Sequence, residues 1–376
     1  MAGIYLHIPF CRQACVYCDF HFSTLHTDKD TMVQALIKEA ARRRDYLGTR
    51  ELKSIYFGGG TPSLLDPAQI QAILDALRKD FEWTASAEIC LEANPDDLNE
   101  DYIKALAQTE VNRLSIGLQS FKEEDLRLMN RAHSAEESRK CLELARQYGF
   151  DNLTVDLIYG IPNQTDEDWL WQLEQIKAYK VPHFSSYALT VEPKTVLAHW
   201  VKQGKVEVDE SAAARHFKIL QDFAQAEGYE QYELSNFCRP GHQAVHNSSY
   251  WQGASYLGLG PSAHSYNGRA RHWNVANNKL YLKAIHTEDW KPEEEVLSIE
   301  DRFNEFVMIR MRLKAGISIK ELANWPEYLQ DHFWKEANKL IEGGRLQKTE
   351  ERIFIPGEQR FFSDGLASDL FYLKED

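Results

Sequence analysis

Three thiols stand within eight residues, in Cys11-Arg12-Gln13-Ala14-Cys15-Val16-Tyr17-Cys18. Cysteine thiolates ligate both zinc and iron–sulfur clusters. Three of them can bind three irons of a [4Fe–4S] cube and leave the fourth iron open. An open iron can hold S-adenosylmethionine (SAM) through its amino and carboxylate groups. An electron from the cluster then cleaves the sulfonium bond and generates a radical, while the protein positions the groups and excludes water. The alternative is structural zinc on Cys11, Cys15, Cys18 and either His7 or His21. Structural zinc wants four protein ligands, and no second Cys or His pair stands at finger spacing. The other cysteines, Cys90, Cys141 and Cys238, are scattered and read as small buried apolar residues. A disulfide framework would instead spread pairs along a small secreted chain.

The cysteine loop follows an apolar, β-rich run over residues 4–8. Similar runs cover 54–57, 88–92, 113–116, 153–157 and 184–189. Amphipathic helical patterns fill the gaps, over 32–46, 67–79, 136–148 and 166–178. Asp66 suits an N-cap and Pro67 a first helical turn. Repeated strand–helix units predict an α/β fold with a parallel sheet. About six units predict an open or partial (β/α) barrel, a TIM-like (β/α)6 architecture, rather than a complete eight-fold one. In a barrel or a doubly wound sheet alike, the site lies at the carboxyl ends of the strands. Polar and glycine-rich residues fall there. Cys11 follows the first strand, Gly58-Gly59-Gly60-Thr61 the second, Glu92 the third and Gln119 the fourth, and Asp156 ends the fifth.

Composition divides the chain into a core over 1–230, an extension over 231–290 and an accessory domain over 291–376. The extension is rich in Gly, Asn, His and aromatic residues. Residues 292–295 read as a polar linker. Beyond it, 302–313, 319–322 and 334–342 are predicted helical, and 346–355 a strand, turn and strand. Helices followed by a hairpin predict a small winged-helix-like unit, which does not imply DNA binding.

The 376 residues carry 43 Lys and Arg against 57 Asp and Glu, a net charge of −14. An acidic surface repels phosphate backbones, so nucleic acid is not an expected partner. No apolar run approaches the roughly 20 residues needed to span a bilayer. The start, Met1-Ala2-Gly3-Ile4-Tyr5-Leu6, lacks a basic signal-peptide region, which predicts a cytoplasmic protein without a transmembrane segment. A homodimer is compatible with the sequence.

Five further stretches accompany the thiols. They are Tyr5-Leu6-His7-Ile8-Pro9-Phe10-Cys11, Gly58-Gly59-Gly60-Thr61-Pro62, Glu92-Ala93-Asn94-Pro95, Ser115-Ile116-Gly117-Leu118-Gln119-Ser120 and Asp156-Leu157-Ile158-Tyr159-Gly160-Ile161-Pro162. In order and spacing they resemble the radical SAM superfamily. More narrowly they resemble the oxygen-independent coproporphyrinogen III oxidase family, over most of the first 200 residues. The resemblance implies a [4Fe–4S] cluster on Cys11, Cys15 and Cys18, and a SAM pocket. Gly59 and Gly60 would let backbone approach the methionine part, since no Cβ intervenes. Thr61 would add a hydroxyl. Glu92 and Asp156 would accept from ribose hydroxyls or the SAM amine, and Gln119 would bond a polar head in either sense. Arg131 would fork onto the methionine carboxylate. Tyr5 and Tyr17 would pack beside cluster or SAM. Alone, the glycines read as a tight strand–helix turn, and either acid as a helix cap or surface group.

Two departures from the oxidases matter. They carry a further cysteine two positions after the third cluster cysteine, where this chain has Phe20. They also have a long segment before the first strand, whereas here that strand begins almost at Met1. Both departures resemble a sister group of haem chaperones with a His-Asn-x-x-Tyr-Trp motif, here His246-Asn247-Ser248-Ser249-Tyr250-Trp251. That resemblance implies haem held by His246, Asn247, Tyr250 and Trp251, and haem-accepting apoproteins as partners. An imidazole can ligate haem iron, and the two aromatic rings offer flat faces to a porphyrin. The bland alternative is a buried aromatic turn joining two domains. His264 and His242 are reserve ligands. The alternative function is an enzyme that decarboxylates coproporphyrinogen III propionates with a 5′-deoxyadenosyl radical.

Overall fold

The computed structural model describes residues Ala2–Lys374. Met1, Glu375 and Asp376, the outer ends of the first and last predicted domains, lie outside the described residues.

Six strands lie side by side in chain order, each parallel to the next. They are β1 (Ala2–Ile8), β2 (Ser54–Gly59), β3 (Glu88–Ala93), β4 (Arg113–Gln119), β5 (Leu153–Tyr159) and β6 (His183–Ala188). A doubly wound sheet reverses its strand order at a switch point. This sheet does not, so it is wound in one sense, as a barrel is. Six short strands follow in the chain: β7 (Glu230–Gln231), β8 (Asn236–Cys238), β9 (Ser255–Leu259), β10 (His264–Tyr266), β11 (Ala270–Trp273) and β12 (Glu293–Val296). Beyond β6 come β8 and then β7, both antiparallel. Beyond β1 come β9, parallel, and then β10, β11 and β12, antiparallel. Among the described residues the sheet therefore stays open, with the region after residue 230 continuing both of its edges.

The strands obey a period of two with two different faces. Ile4, Leu6, Ile55, Phe57, Ile89, Leu91, Leu114 and Ile116 are fully or almost fully buried and join the main apolar core. Helices cover that face. They include Lys29–Arg42, Pro67–Leu77, Ala135–Gln147 and Asp166–Ala178, each within a few residues of its predicted span. Gln69 accepts from the Asp66 N–H at 2.9 Å, which fixes the predicted start at Pro67. The alternate residues, among them Tyr5, Tyr56, Cys90 and Ser115, point the other way and line the barrel lumen.

Two expectations change. Residues 292–295 do not form a linker: Glu293–Val296 is edge strand β12, bonded to β11. All four residues are exposed, so no apolar alternation marked them; pairing rather than burial holds the strand. Asp156 does not end the fifth strand but is the fourth of its seven residues, which puts its carboxyl in the lumen.

The C-terminal unit has its own core, including Phe303, Val307, Met311, Leu329, Phe333 and Ile353. Helices Ile299–Arg312 and Glu327–Glu342 pack with a three-stranded sheet of Ile317–Ser318, Arg352–Phe354 and Gln347–Lys348. The two-residue strand Ile317–Ser318 is too short to show any period in the sequence. Among the described residues no helix is long and apolar enough to cross a membrane.

Candidate functional site

The cysteine loop leaves β1 at its carboxyl end and is tied down on both sides. The Cys11 N–H donates to the Ser23 carbonyl at 3.0 Å, and His26 Nε2 lies 2.8 Å from the Cys11 carbonyl. Across the mouth, the Val16 N–H donates to the Met129 carbonyl at 3.2 Å. Gln13 Nε2 donates to the Asn130 carbonyl, and Asn130 Nδ2 to the Ala14 carbonyl, each at 2.7 Å. Arg12 pairs with Asp96 at 3.5 Å and with Asp97 at 2.5 Å. The loop is thus a shaped cradle.

All three thiols are partly exposed. Thr61 Oγ1 donates to Cys11 Sγ at 3.4 Å, and Arg131 Nη1 to Cys15 Sγ at 3.2 Å. Burial pushes the Cys11 thiol up to about 11 and raises Cys18 as well, so an iron or zinc ligand here must displace protons. The histidines weighed as fourth zinc ligands are engaged elsewhere. His7 is bonded through one nitrogen to the His21 carbonyl at 2.9 Å and through the other to Tyr5 at 3.3 Å. His21 Nε2 lies 2.8 Å from Asn278 Oδ1. Among the described residues no three His, Cys, Asp or Glu side chains are placed to hold one metal ion. The donor set fits a multi-iron cluster, in which each thiolate takes its own iron.

Below the loop lies a lumen of about 210 Å³. Glu92 and Asp156 face it with Tyr5 and Tyr56. Glu92 accepts from the Tyr56 hydroxyl at 2.7 Å and from the Gly59 N–H at 3.2 Å. Asp156 accepts from Ser115 Oγ at 3.5 Å. Burial raises Glu92 to about 7 and Asp156 to about 6, despite those bonds. Near neutral pH the pair can therefore present both a carboxylate and a protonated carboxyl, able to accept and to donate.

The other predicted SAM residues sit higher. Arg131 donates through Nη2 to Asn94 Oδ1 at 2.7 Å and to the Gly117 carbonyl at 2.8 Å. Its buried Nε has no partner among the described residues. Gln119 ends β4 with φ 66°, next to this guanidinium across Gly117. Tyr17 packs on the cluster of Val16, Leu126 and Met129. Phe20 stands at the rim, 70% exposed.

The glycines also have a reason within the chain itself. A Cβ on Gly59, where φ is 107°, would come within 2.7 Å of His7 Nδ1. One on Gly60 would come within 2.6 Å of the Phe10 carbonyl oxygen and 2.9 Å of the Ile8 carbonyl oxygen. Both glycines let the end of β2 close onto the end of β1, beneath Cys11. We predict that Gly60→Val distorts the cysteine loop and lowers iron loading after reconstitution, rather than acting on SAM alone. Full iron per chain in that variant would reject this role.

The His246 motif lies at the opposite end of the barrel. It forms the helix Val245–Trp251. Glu88, the first residue of β3, accepts from the Val245 N–H at 2.8 Å and the His246 N–H at 2.9 Å. Arg113, the first residue of β4, is 3.6 Å from Glu88. His246 Nδ1 lies 2.8 Å from Oγ of Ser54, the first residue of β2, and Nε2 lies 2.9 Å from the Tyr250 hydroxyl. Its ring stacks on Tyr56 with centroids 4.9 Å apart. Burial holds the imidazole neutral, down to about 3. The helix is a floor for the lumen, and both histidine nitrogens are already used.

The structure brings His246, Asn247 and Tyr250 to the same lumen as Tyr5, Glu92 and Asp156. It takes Trp251 away, under the Arg312 guanidinium at 5.2 Å, with its carbonyl accepting from Arg310 at 2.5 Å. His264 is exposed and stacks on Trp273, and neither it nor His242 lines the lumen. Sequence reading missed Arg113, Thr154, His183 and Ser185, which also line it. Their signal was a polar residue at every second position of a buried strand.

The Radical SAM superfamily pattern matches residues 5–175, and the HemN C-terminal domain pattern residues 297–362. The chain is 32% identical to the heme chaperone HemW of Bacillus subtilis, over 94% of this chain and 95% of that one. It is 35% identical to the HemW of Lactococcus lactis, over 93% and 92%. It is 33% identical to the HemW of Escherichia coli, over 97% and 96%. The solved structure of coproporphyrinogen III oxidase (HemN) from Escherichia coli, described as a radical SAM enzyme, matches with TM-score 0.83 and 25% identity. That match covers 98% of this chain and 90% of the other.

Proposed function

We propose, since this chain belongs to the HemW family of radical SAM proteins, that it binds haem and passes it to apoproteins. Membership of the superfamily implies a [4Fe–4S] cluster and SAM. The single observation that carries the haem reading is the near full-length likeness to heme chaperones from separate bacteria, which spans barrel, floor helix and C-terminal unit alike.

In this reading Cys11, Cys15 and Cys18 hold the cluster. Tyr17, Gln119 and Arg131 hold the amino-acid end of SAM beside it, and Tyr5, Glu92 and Asp156 its ribose side. Bound together, cluster and SAM supply one-electron cleavage of the sulfonium. The chain's own work is to orient SAM through charged and hydroxyl groups and to close the lumen from below with the helix Val245–Trp251.

His246 is the proposed haem ligand, with Asn247 and Tyr250 as neighbours in the lumen. Iron can reach its Nε2 only when the Tyr250 hydroxyl leaves it. Tyr250→Phe should therefore strengthen haem coordination, read as a sharper and more saturable haem absorption. Unchanged haem binding in both Tyr250→Phe and a folded His246→Ala would move the ligand elsewhere.

The second reading, a coproporphyrinogen III decarboxylase, draws on the HemN fold match, and fold alone does not decide function. One experiment separates the two. Reconstituted protein receives SAM and reductant with haem and an apoprotein acceptor, or with coproporphyrinogen III. We expect haem binding and transfer, with no protoporphyrinogen IX. Robust conversion of coproporphyrinogen III would overturn the chaperone reading.

A further inference from the structure

We propose that Asn94 is a positioning residue that sets the reduction potential of the cluster, by aiming one hydrogen-bond donor at each of two cluster thiolates. The inference rests on Cys11, Cys15 and Cys18 holding the cluster, and not on the haem reading.

Asn94 follows directly on β3, and its backbone N–H is fixed by Ser63 Oγ at 3.2 Å. Its carboxamide has two ends and uses both. Oδ1 accepts from Arg131 Nη2 at 2.7 Å. The same guanidinium donates through Nη1 to Cys15 Sγ at 3.2 Å. Nδ2 donates to Thr61 Oγ1 at 3.2 Å. Thr61 donates in turn to Cys11 Sγ at 3.4 Å. One amide thus governs two donors that reach two sulfurs.

The amide's orientation follows from its neighbours. Arg131 has only donors, so it demands the carbonyl end of Asn94. The NH2 end is then left for Thr61. Because that hydroxyl oxygen accepts from Asn94, its own proton is free for the sulfur. A reversed amide would set NH2 against guanidinium and draw the threonine proton away from Cys11. The arrangement is therefore a relay with one direction, not an incidental contact.

Hydrogen bonds to cluster sulfurs stabilise the extra negative charge of the reduced state and raise the potential, and groups behind the ligands tune a metal site by orienting such donors. Asn94 touches neither sulfur itself. Its effect should therefore appear in the potential rather than in whether the thiols bind iron.

The test compares Asn94→Ala, Thr61→Val and Thr61→Ser in the full chain. Each is reconstituted without SAM and assayed for iron per chain, and then the cluster is titrated under EPR for its midpoint potential. Iron loading reports the cluster assignment; the midpoint reports the relay. We expect wild-type iron in all three, a more negative midpoint in Asn94→Ala, and a smaller negative shift in Thr61→Val. Thr61→Ser, which keeps the hydroxyl, should stay at the wild-type midpoint. An unmoved midpoint in a fully loaded Asn94→Ala overturns the proposal. If Asn94→Ala does not fold, Thr61→Val decides: an unmoved midpoint there, or an equal shift in Thr61→Ser, overturns it. Absence of any cluster in wild type would instead reject the cysteine assignment beneath it.

Discussion

Cys11→Ala, Cys15→Ala and Cys18→Ala should each leave the anaerobically reconstituted protein without iron–sulfur absorption, while wild type holds about four irons per chain. The effect is a complete loss, because each thiolate would ligate one iron of an already open cluster and the loop offers no substitute. His7 and His21 are held by Tyr5, Asn278 and the His21 carbonyl, and His26 Nε2 by the Cys11 carbonyl. Cys90→Ala, Cys141→Ala and Cys238→Ala should load like wild type. Those three thiols are buried in separate elements, the strand Glu88–Ala93, the helix Ala135–Gln147 and the strand Asn236–Cys238, and not in the Cys11–Cys18 loop. Iron and sulfide analysis with the visible spectrum checks both halves. Stoichiometric zinc without iron–sulfur absorption in wild type, or a cluster retained in any of the first three variants, would contradict the assignment.

His246→Ala should destabilise the haem-free protein by on the order of 2–4 kcal/mol. The residue is 3% exposed, and its side chain ties the floor helix to the barrel. Its removal strands the hydroxyls of Ser54 and Tyr250 and deletes the stack on Tyr56. Urea unfolding of apoprotein measures this. A change below about 0.5 kcal/mol, the range of an ordinary surface substitution, would show that the floor does not depend on this ring. The pH dependence has a definite sign. Burial lowers the folded pKa from 6.5 to about 3, so in that window the unfolded chain binds the extra proton. Stability therefore falls as pH drops from 6.5 towards 3, and His246→Ala should lose this residue's share of the slope. Any haem measurement on the variant is informative only where apoprotein folding has been established first.

The thiol loop was legible because its three cysteines occupy one short stretch. The six parallel strands were legible because each buries an apolar face under a helix, and burial leaves a period of two in the residues. Gly60 and Thr61 were visible as a motif, but their reasons were not. One lies against the Phe10 and Ile8 carbonyls and the other beneath Cys11, about fifty residues earlier in the chain.

Short-range pattern thus marked the thiol loop and the strands. Tertiary structure alone decided that β12 is a strand, since its four exposed residues are held by partners and not by burial. It alone decided that the His246 motif closes the far end of the barrel, through a contact between His246 and Ser54 that spans 192 residues of sequence. It alone turned the polar alternate residues of six strands towards one lumen. The physical reason is common to all three. A residue's own type states what it can bond, but which group meets it across the sheet depends on how the whole chain closes.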